Sequence, residues 1–174
     1  MRSAGAILAC VLVLALVNFS IAGKERQLEN GRIVYLELAP VDPRSLMQGD
    51  YMALGFRIAN DALPAMPRTN TSGSRRVFGP SNLEAADGRI VAALDARSIA
   101  SYRRLDDGTP TGANEVLLRY RVREGTLKFA TNAFFFQEGT GRRYEKARYG
   151  EFRVAPDGEV LLTGLRGTDL EPLK

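Results

Sequence analysis

Hydrophobic and polar positions divide the chain into two regimes. Residues 4–23, AGAILACVLVLALVNFSIAG, carry no charged side chain, whereas from Lys24 onward apolar residues come in short alternating runs. At 1.5 Å per residue a helix over the first run reaches roughly 30 Å, the depth of a bilayer's hydrocarbon core. It has no polar face to turn to water, as a buried core helix of a globular domain would. Arg2 precedes the run, and Lys24, Glu25 and Arg26 follow it. A signal peptide would share the basic start and the small residues of Ser20-Ile21-Ala22, but its apolar core spans only about 7–15 residues. The longer run predicts an N-terminal transmembrane helix over residues 1–23, a membrane anchor or uncleaved signal, with Cys10 facing lipid. Flanking positive charge is nearly balanced. The short, signal-like N-terminus therefore decides the orientation, with the C-terminal part extracytoplasmic, in the periplasm.

Residues 24–174 read as a single β-rich domain. Arg32 to Leu38 is β-branched and apolar, as a buried strand requires. Met52, Leu54, Phe56 and Ile58 alternate with Ala53, Gly55, Arg57 and Ala59, which predicts a strand with one inward face. The clearest alternation sets Val116, Leu118, Tyr120 and Val122 against Glu115, Leu117, Arg119, Arg121 and Arg123. Further strands are predicted over 89–95, 98–104, 126–137, 150–154 and 159–165. Asp87-Gly88, Asp107-Gly108 and Asp157-Gly158 read as tight turns, the last closing a hairpin. Asp106 to Gly112 reads as a hairpin loop and residues 60–79 as the longest loop. Two helical elements are predicted. Asp42 to Gly49 carries a capping Asp, a Pro at the first position and a terminal Gly; Thr140 to Arg148 reads as a short amphipathic helix. The fold class is then α+β, mainly β: a curled or partly closed antiparallel sheet with one short helix, preceded by the transmembrane helix.

Composition narrows the chemistry. The chain has no His, no Trp and one Cys. That excludes His-dependent nucleophilic triads, His-based zinc or haem sites, thiolate clusters and an intrachain disulfide. The net charge of +4 is the small excess of 24 cations over 20 acids, interspersed along the chain. Nucleic-acid binders instead concentrate basic charge and interleave it with aromatic residues, so no nucleic-acid partner is expected. No cofactor is expected either; Gly139-Thr140-Gly141 is too short for a phosphate-cradling loop.

The densest polar constellation runs from Pro40 to Leu54. Arg44 and Asp50 read either as a polar site at a strand mouth or as turn-stabilising groups. The second reading is favoured: Asp42 capping a helix, Gly49 left-handed, and Asp50 accepting backbone N–H groups. Gly49-Asp50-Tyr51-Met52-Ala53-Leu54-Gly55-Phe56 resembles the signature of the GDYXXLXY family, with Phe56 where the family name carries Tyr. Asp42 to Leu46, Phe136 to Gly139, Tyr144-Glu145 and Gly158 to Leu165 are similar to the same family. The resemblance implies a membrane-associated bacterial domain of no established activity, often beside multi-pass membrane proteins. It marks Asp42, Arg44, Gly49, Asp50, Tyr51 and Glu138 as binding candidates, and the lost hydroxyl at Phe56 argues against a role for that group.

Other functional classes draw on the same residues. Leu46-Met47-Gln48-Gly49-Asp50 matches the end of the type I signal peptidase box, but Val41 stands where the nucleophilic Ser belongs and no Lys base is near. A carboxylate-dependent envelope hydrolase would need Asp50, Glu138 and Glu145 to converge. Arg119, Arg121 and Arg123 share one strand face and read either as an anion stripe, suited to lipid headgroups, or as a solvated face paired with acids. The sequence therefore predicts a membrane-tethered, non-enzymatic accessory or binding module. Its expected partners are the membrane, through residues 4–23, and another membrane protein or envelope ligand.

Overall fold

The computed structural model describes residues 2–39, 47, 48, 51–67, 83–131 and 133–173, omitting the side chains of 2–4, 6, 8, 9, 47 and 48. The 29-residue helix α1 (Arg2–Asn30) leads into a mainly β domain. Its strands are β1 (Arg32–Glu37), β2 (Met47–Gln48), β3 (Tyr51–Ala53), β4 (Ala86–Leu94), β5 (Ala100–Leu105), β6 (Glu115–Arg123), β7 (Thr126–Lys128), β8 (Ala133–Phe135), β9 (Tyr149–Val154) and β10 (Val160–Arg166). A short helix α2 (Arg57–Ala62) and two 3-10 turns, Leu63–Ala65 and Gly141–Arg143, complete it.

All strand pairs within the sheets are antiparallel, in the orders β1-β9-β10, β2-β3-β8 and β5-β4-β6-β7. The β1-β9-β10 and β5-β4-β6-β7 sheets touch at two places. Tyr35 of β1 bridges Ile99 and donates its N–H to Ser98 O at 2.9 Å; on the other side Arg119 N–H donates to Gly158 O at 2.8 Å. The result is the curled half-barrel that the alternation predicts. Its interior is apolar, with Val34, Leu36, Ile90, Ala92, Leu118, Phe129 and Phe152 fully shielded from solvent. Phe56 lies edge-on to both Phe152 and Phe129, at ring separations of 5.4 Å and 6.3 Å.

Several expected elements differ. The strand through Met52 to Ile58 stops at Ala53; the period changes at Phe56, and Ile58, Ala59 and Ala62 are buried on one side of α2. This helix also occupies the start of the expected 60–79 loop; residues 68–82 lie outside the described ones. The expected helix at 140–148 is absent. Arg143, Tyr144 and Ala147 N–H groups reach back only three residues, to Thr140, Gly141 and Tyr144 carbonyls. The Tyr144 ring, stacked 5.4 Å from Phe136 and edge-on 5.0 Å from Phe134, anchors this segment by its side chain. Lone helices this short are marginal without such packing. Asp87-Gly88 is a strand interior, not a turn: Gly88 pairs with Tyr120, whose ring occupies the space a Cβ would need. Residues 106–114 are not a hairpin loop, because β4 lies between β5 and β6 and the segment crosses it. The Asp157-Gly158 hairpin forms as expected, with Gly158 at φ +87°.

The large apolar side chains described in α1 are exposed, Val11, Leu12, Val13, Leu14, Leu16 and Phe19 among them. Four of these are consecutive, so they face every side of the helix. Among the described residues no helix is long and apolar enough to cross a membrane.

Candidate anion-binding cleft and signature segment

Of the signature residues, Asp42, Arg44, Gly49 and Asp50 lie outside the described ones. Met47 and Gln48, expected at the end of a helix, are instead a strand paired with Met52 and Tyr51. Tyr51 is half-buried at the start of β3, opposite Phe135 of β8, with ring centroids 5.8 Å apart. Met52, Leu54 and Phe56 are each at most 5% exposed. The described half of the signature is therefore a packing element, and Phe56 sits where an aromatic ring is needed. Glu138 is exposed on the turn that Gly139 closes at φ +78°, and Glu145 is exposed beyond the second 3-10 turn. Among the described residues no three side chains of metal-ligating type come together.

The arginine stripe resolves into individually tied groups. Arg119 faces Asp157 at 3.5 Å, Arg123 lies 2.9 Å from Asp87, and Arg121 donates to the Ala130 carbonyl at 2.9 Å. The solvated, acid-paired reading thus describes Arg119 and Arg123. Arg121 takes a backbone partner, and its position draws in residues that strand periodicity alone does not connect. Between the outer side of β4-β6-β7 and the β9–β10 hairpin lies a cleft of about 670 Å³. Its cations are Lys24, Arg89, Arg119, Arg121 and Lys128, against the carboxylates of Asp87 and Glu159.

Strand register explains the charge density. Arg89 of β4 stands directly opposite Arg119 of β6, and Arg121 directly opposite Lys128 of β7. Like charges at such cross-strand positions destabilise a sheet. Arg89 is relieved by Asp106 at 2.8 Å, whereas Lys128 lies 3.9 Å from the highly exposed Glu124. The two-residue turn Glu124-Gly125, with φ of 54° and 67°, fixes the Arg121–Lys128 register. Beneath the cleft, burial raises the pKa of the Tyr120 phenol, assisted by the Tyr102 hydroxyl.

The end of α1 adds a third side through Lys24. Gln27 is 7% exposed, and its side-chain amide donates to Arg153 O at 3.1 Å and Glu159 O at 2.9 Å. Lys24 Nζ contacts Glu159 Oε1 at 2.5 Å, and Arg153 returns a bond to Gly31 O at 3.2 Å. The helix is thus bolted to the β9–β10 hairpin without a loose linker.

The family described as GDYXXLXY protein matches residues 13–165. The chain belongs to this family. Comparison with curated proteins and with solved structures found no match. Within this GDYXXLXY chain, sequence reasoning missed Lys24, Gln27, Arg89 and Lys128, because no local pattern links residues brought together by register and by helix docking. It also missed the buried Glu151. That carboxylate binds Arg166, with Nε at 2.6 Å, and Thr163 Oγ1 at 3.0 Å. Thr163 reaches it from a β-bulge between Leu162 and Gly164.

Proposed function

We propose that this GDYXXLXY protein is a membrane-tethered, non-enzymatic accessory module whose β domain stands on the extracytoplasmic face and contacts another membrane protein or an envelope ligand. The observation that carries the reading is the uncharged run 4–23, lying within one continuous helix whose described large apolar side chains are exposed on all sides. Water disfavours such a surface at about 25 cal/mol per Å². The described residues of the helix alone form too short an apolar stretch to cross a bilayer. The uncharged run of twenty residues in the sequence extends beyond them, and a bilayer removes that cost along the run. Lys24, the first charged residue after the run, is also tied to the domain through Glu159. The domain therefore stands directly on the membrane surface.

Phe135, 74% exposed beside Tyr51, is the domain's most exposed large apolar side chain among the described residues. It supplies a contact point next to the signature. A photoreactive phenylalanine at position 135 in the membrane-bound full chain should give a discrete adduct with an integral membrane protein or envelope component. The same probe at Arg142, exposed on the second 3-10 turn, should give none. Equal, diffuse labelling from both positions would contradict the contact. The rival, a hydrolase built on Asp50, predicts an envelope activity lost in a folded Asp50→Asn protein; finding one would replace this reading.

A further inference from the structure

The geometry points to the cleft between β4-β6-β7 and the β9–β10 hairpin as a site for the phosphate group of an anionic phospholipid headgroup, held chiefly by Arg121 and Lys128. This rests on the tethered reading, since the helix places the cleft at the bilayer. Two independent observations carry it. The first is electrostatic. Five cations line the cleft; Lys24, Arg89 and Arg119 are held by Glu159, Asp106 and Asp157. Arg121 and Lys128 instead stand opposite each other across the strands as like charges, Arg121 on a backbone carbonyl and Lys128 3.9 Å from the exposed Glu124. A phosphate between Arg121 and Lys128 converts that repulsion into two charge-assisted contacts. Arg121 is already oriented by its bond to the Ala130 carbonyl, and Ala130 holds a left-handed conformation, φ 40°, in the cleft wall.

The second observation is positional. Lys24 ends the apolar run, so at the membrane surface its ammonium lies at headgroup depth, and it lines this same cleft. Gln27 and the Lys24–Glu159 pair join the helix to the hairpin, which sets the cleft beside the end of the apolar run. A soluble phosphate would need no such placement; a headgroup does. Basic groups near an anionic leaflet are drawn to it. The Arg121–Lys128 pair, one exposed and one half-buried, adds charge-assisted contacts to the phosphate itself.

The test uses the full chain in an uncharged detergent, titrated with short-chain phosphatidylglycerol, short-chain phosphatidylcholine or inorganic phosphate. Binding is followed by the thermal midpoint and by arginine side-chain NMR. Phosphatidylglycerol should raise the midpoint and shift the Arg121 Nε–H signal. The double variant Arg121→Gln/Lys128→Gln should bind about tenfold or more weakly, the equivalent of losing one charge-assisted hydrogen bond. Arg142→Gln/Lys146→Gln, an equal charge change at exposed positions outside the cleft, should leave affinity within about twofold, as surface substitutions away from a site do. Equal binding of phosphatidylcholine, or unchanged affinity in the cleft variant, would overturn the site. Inorganic phosphate binding as tightly as phosphatidylglycerol would overturn the lipid assignment. Retention of every variant in membranes through α1 is read separately, so a failed cleft does not pass for a failed tether.

Discussion

Phe56 shows how one residue of a signature can be structural. At 4% exposure, edge-on to Phe129 and Phe152, it fills the centre of the half-barrel. Phe56→Ala should cost about 3–5 kcal/mol in denaturant unfolding. Gly88 is the complementary case, a residue defined by what it lacks. A Cβ there would lie 2.6 Å from the Tyr120 hydroxyl and 2.7 Å from its ring. Gly88→Ala should destabilise by about 1–3 kcal/mol, and shortening Tyr120 to Leu in the same chain should make the two effects clearly less than additive. Tyr120 also gives a pH signature. Its pKa is raised above 10.0 by burial, so the folded state holds the phenolic proton more tightly than the unfolded chain. That stability is fully present below the unfolded pKa and is lost as pH rises through the folded one. Unfolding curves collected across the alkaline range should show a steeper loss for wild type than for Tyr120→Phe.

Among the elements, legibility followed the range of the forces involved. β6 was readable because Val116, Leu118, Tyr120 and Val122 are buried in strict alternation, a local signal. The Asp157-Gly158 hairpin was readable because the turn's conformational demand is written in two residues. The strand expected through Ile58 failed where Phe56 bridges Leu38 and the following residues turn into α2; the alternation up to Ile58 is genuine burial, yet the period changes within it. Asp87-Gly88 has turn composition, but the Tyr120 ring across the sheet makes glycine a strand residue, and that partner is 32 positions away. The cleft was half-legible for the same reason: the arginines of β6 repeat every second residue, whereas Arg89, Lys128 and Lys24 join only through tertiary pairing. The β9–β10 pair holds the clearest buried polar contact. Glu151→Ala would leave the Arg166 guanidinium, three-quarters buried, without its carboxylate and should cost about 3–5 kcal/mol. Glu151→Gln, which keeps the shape, should cost less, and chemical denaturation of both variants measures the difference.

For the molecule as a whole, one long helix and one half-barrel are joined through Lys24, Gln27 and Arg153, and the proposed tether sets this junction on a membrane. Gln27→Ala removes two hydrogen bonds to the carbonyls of Arg153 and Glu159. It should loosen the junction, speeding amide hydrogen exchange around residues 153–159 while leaving β4 and β6 protected. Alkaline carbonate extraction of membranes from cells making the full chain, followed by intact-mass measurement, decides whether the tether exists. Retention in the membrane pellet at the full 19.1 kDa is the predicted result. Release into the supernatant, or a shortened chain beginning near Gly23, would contradict it.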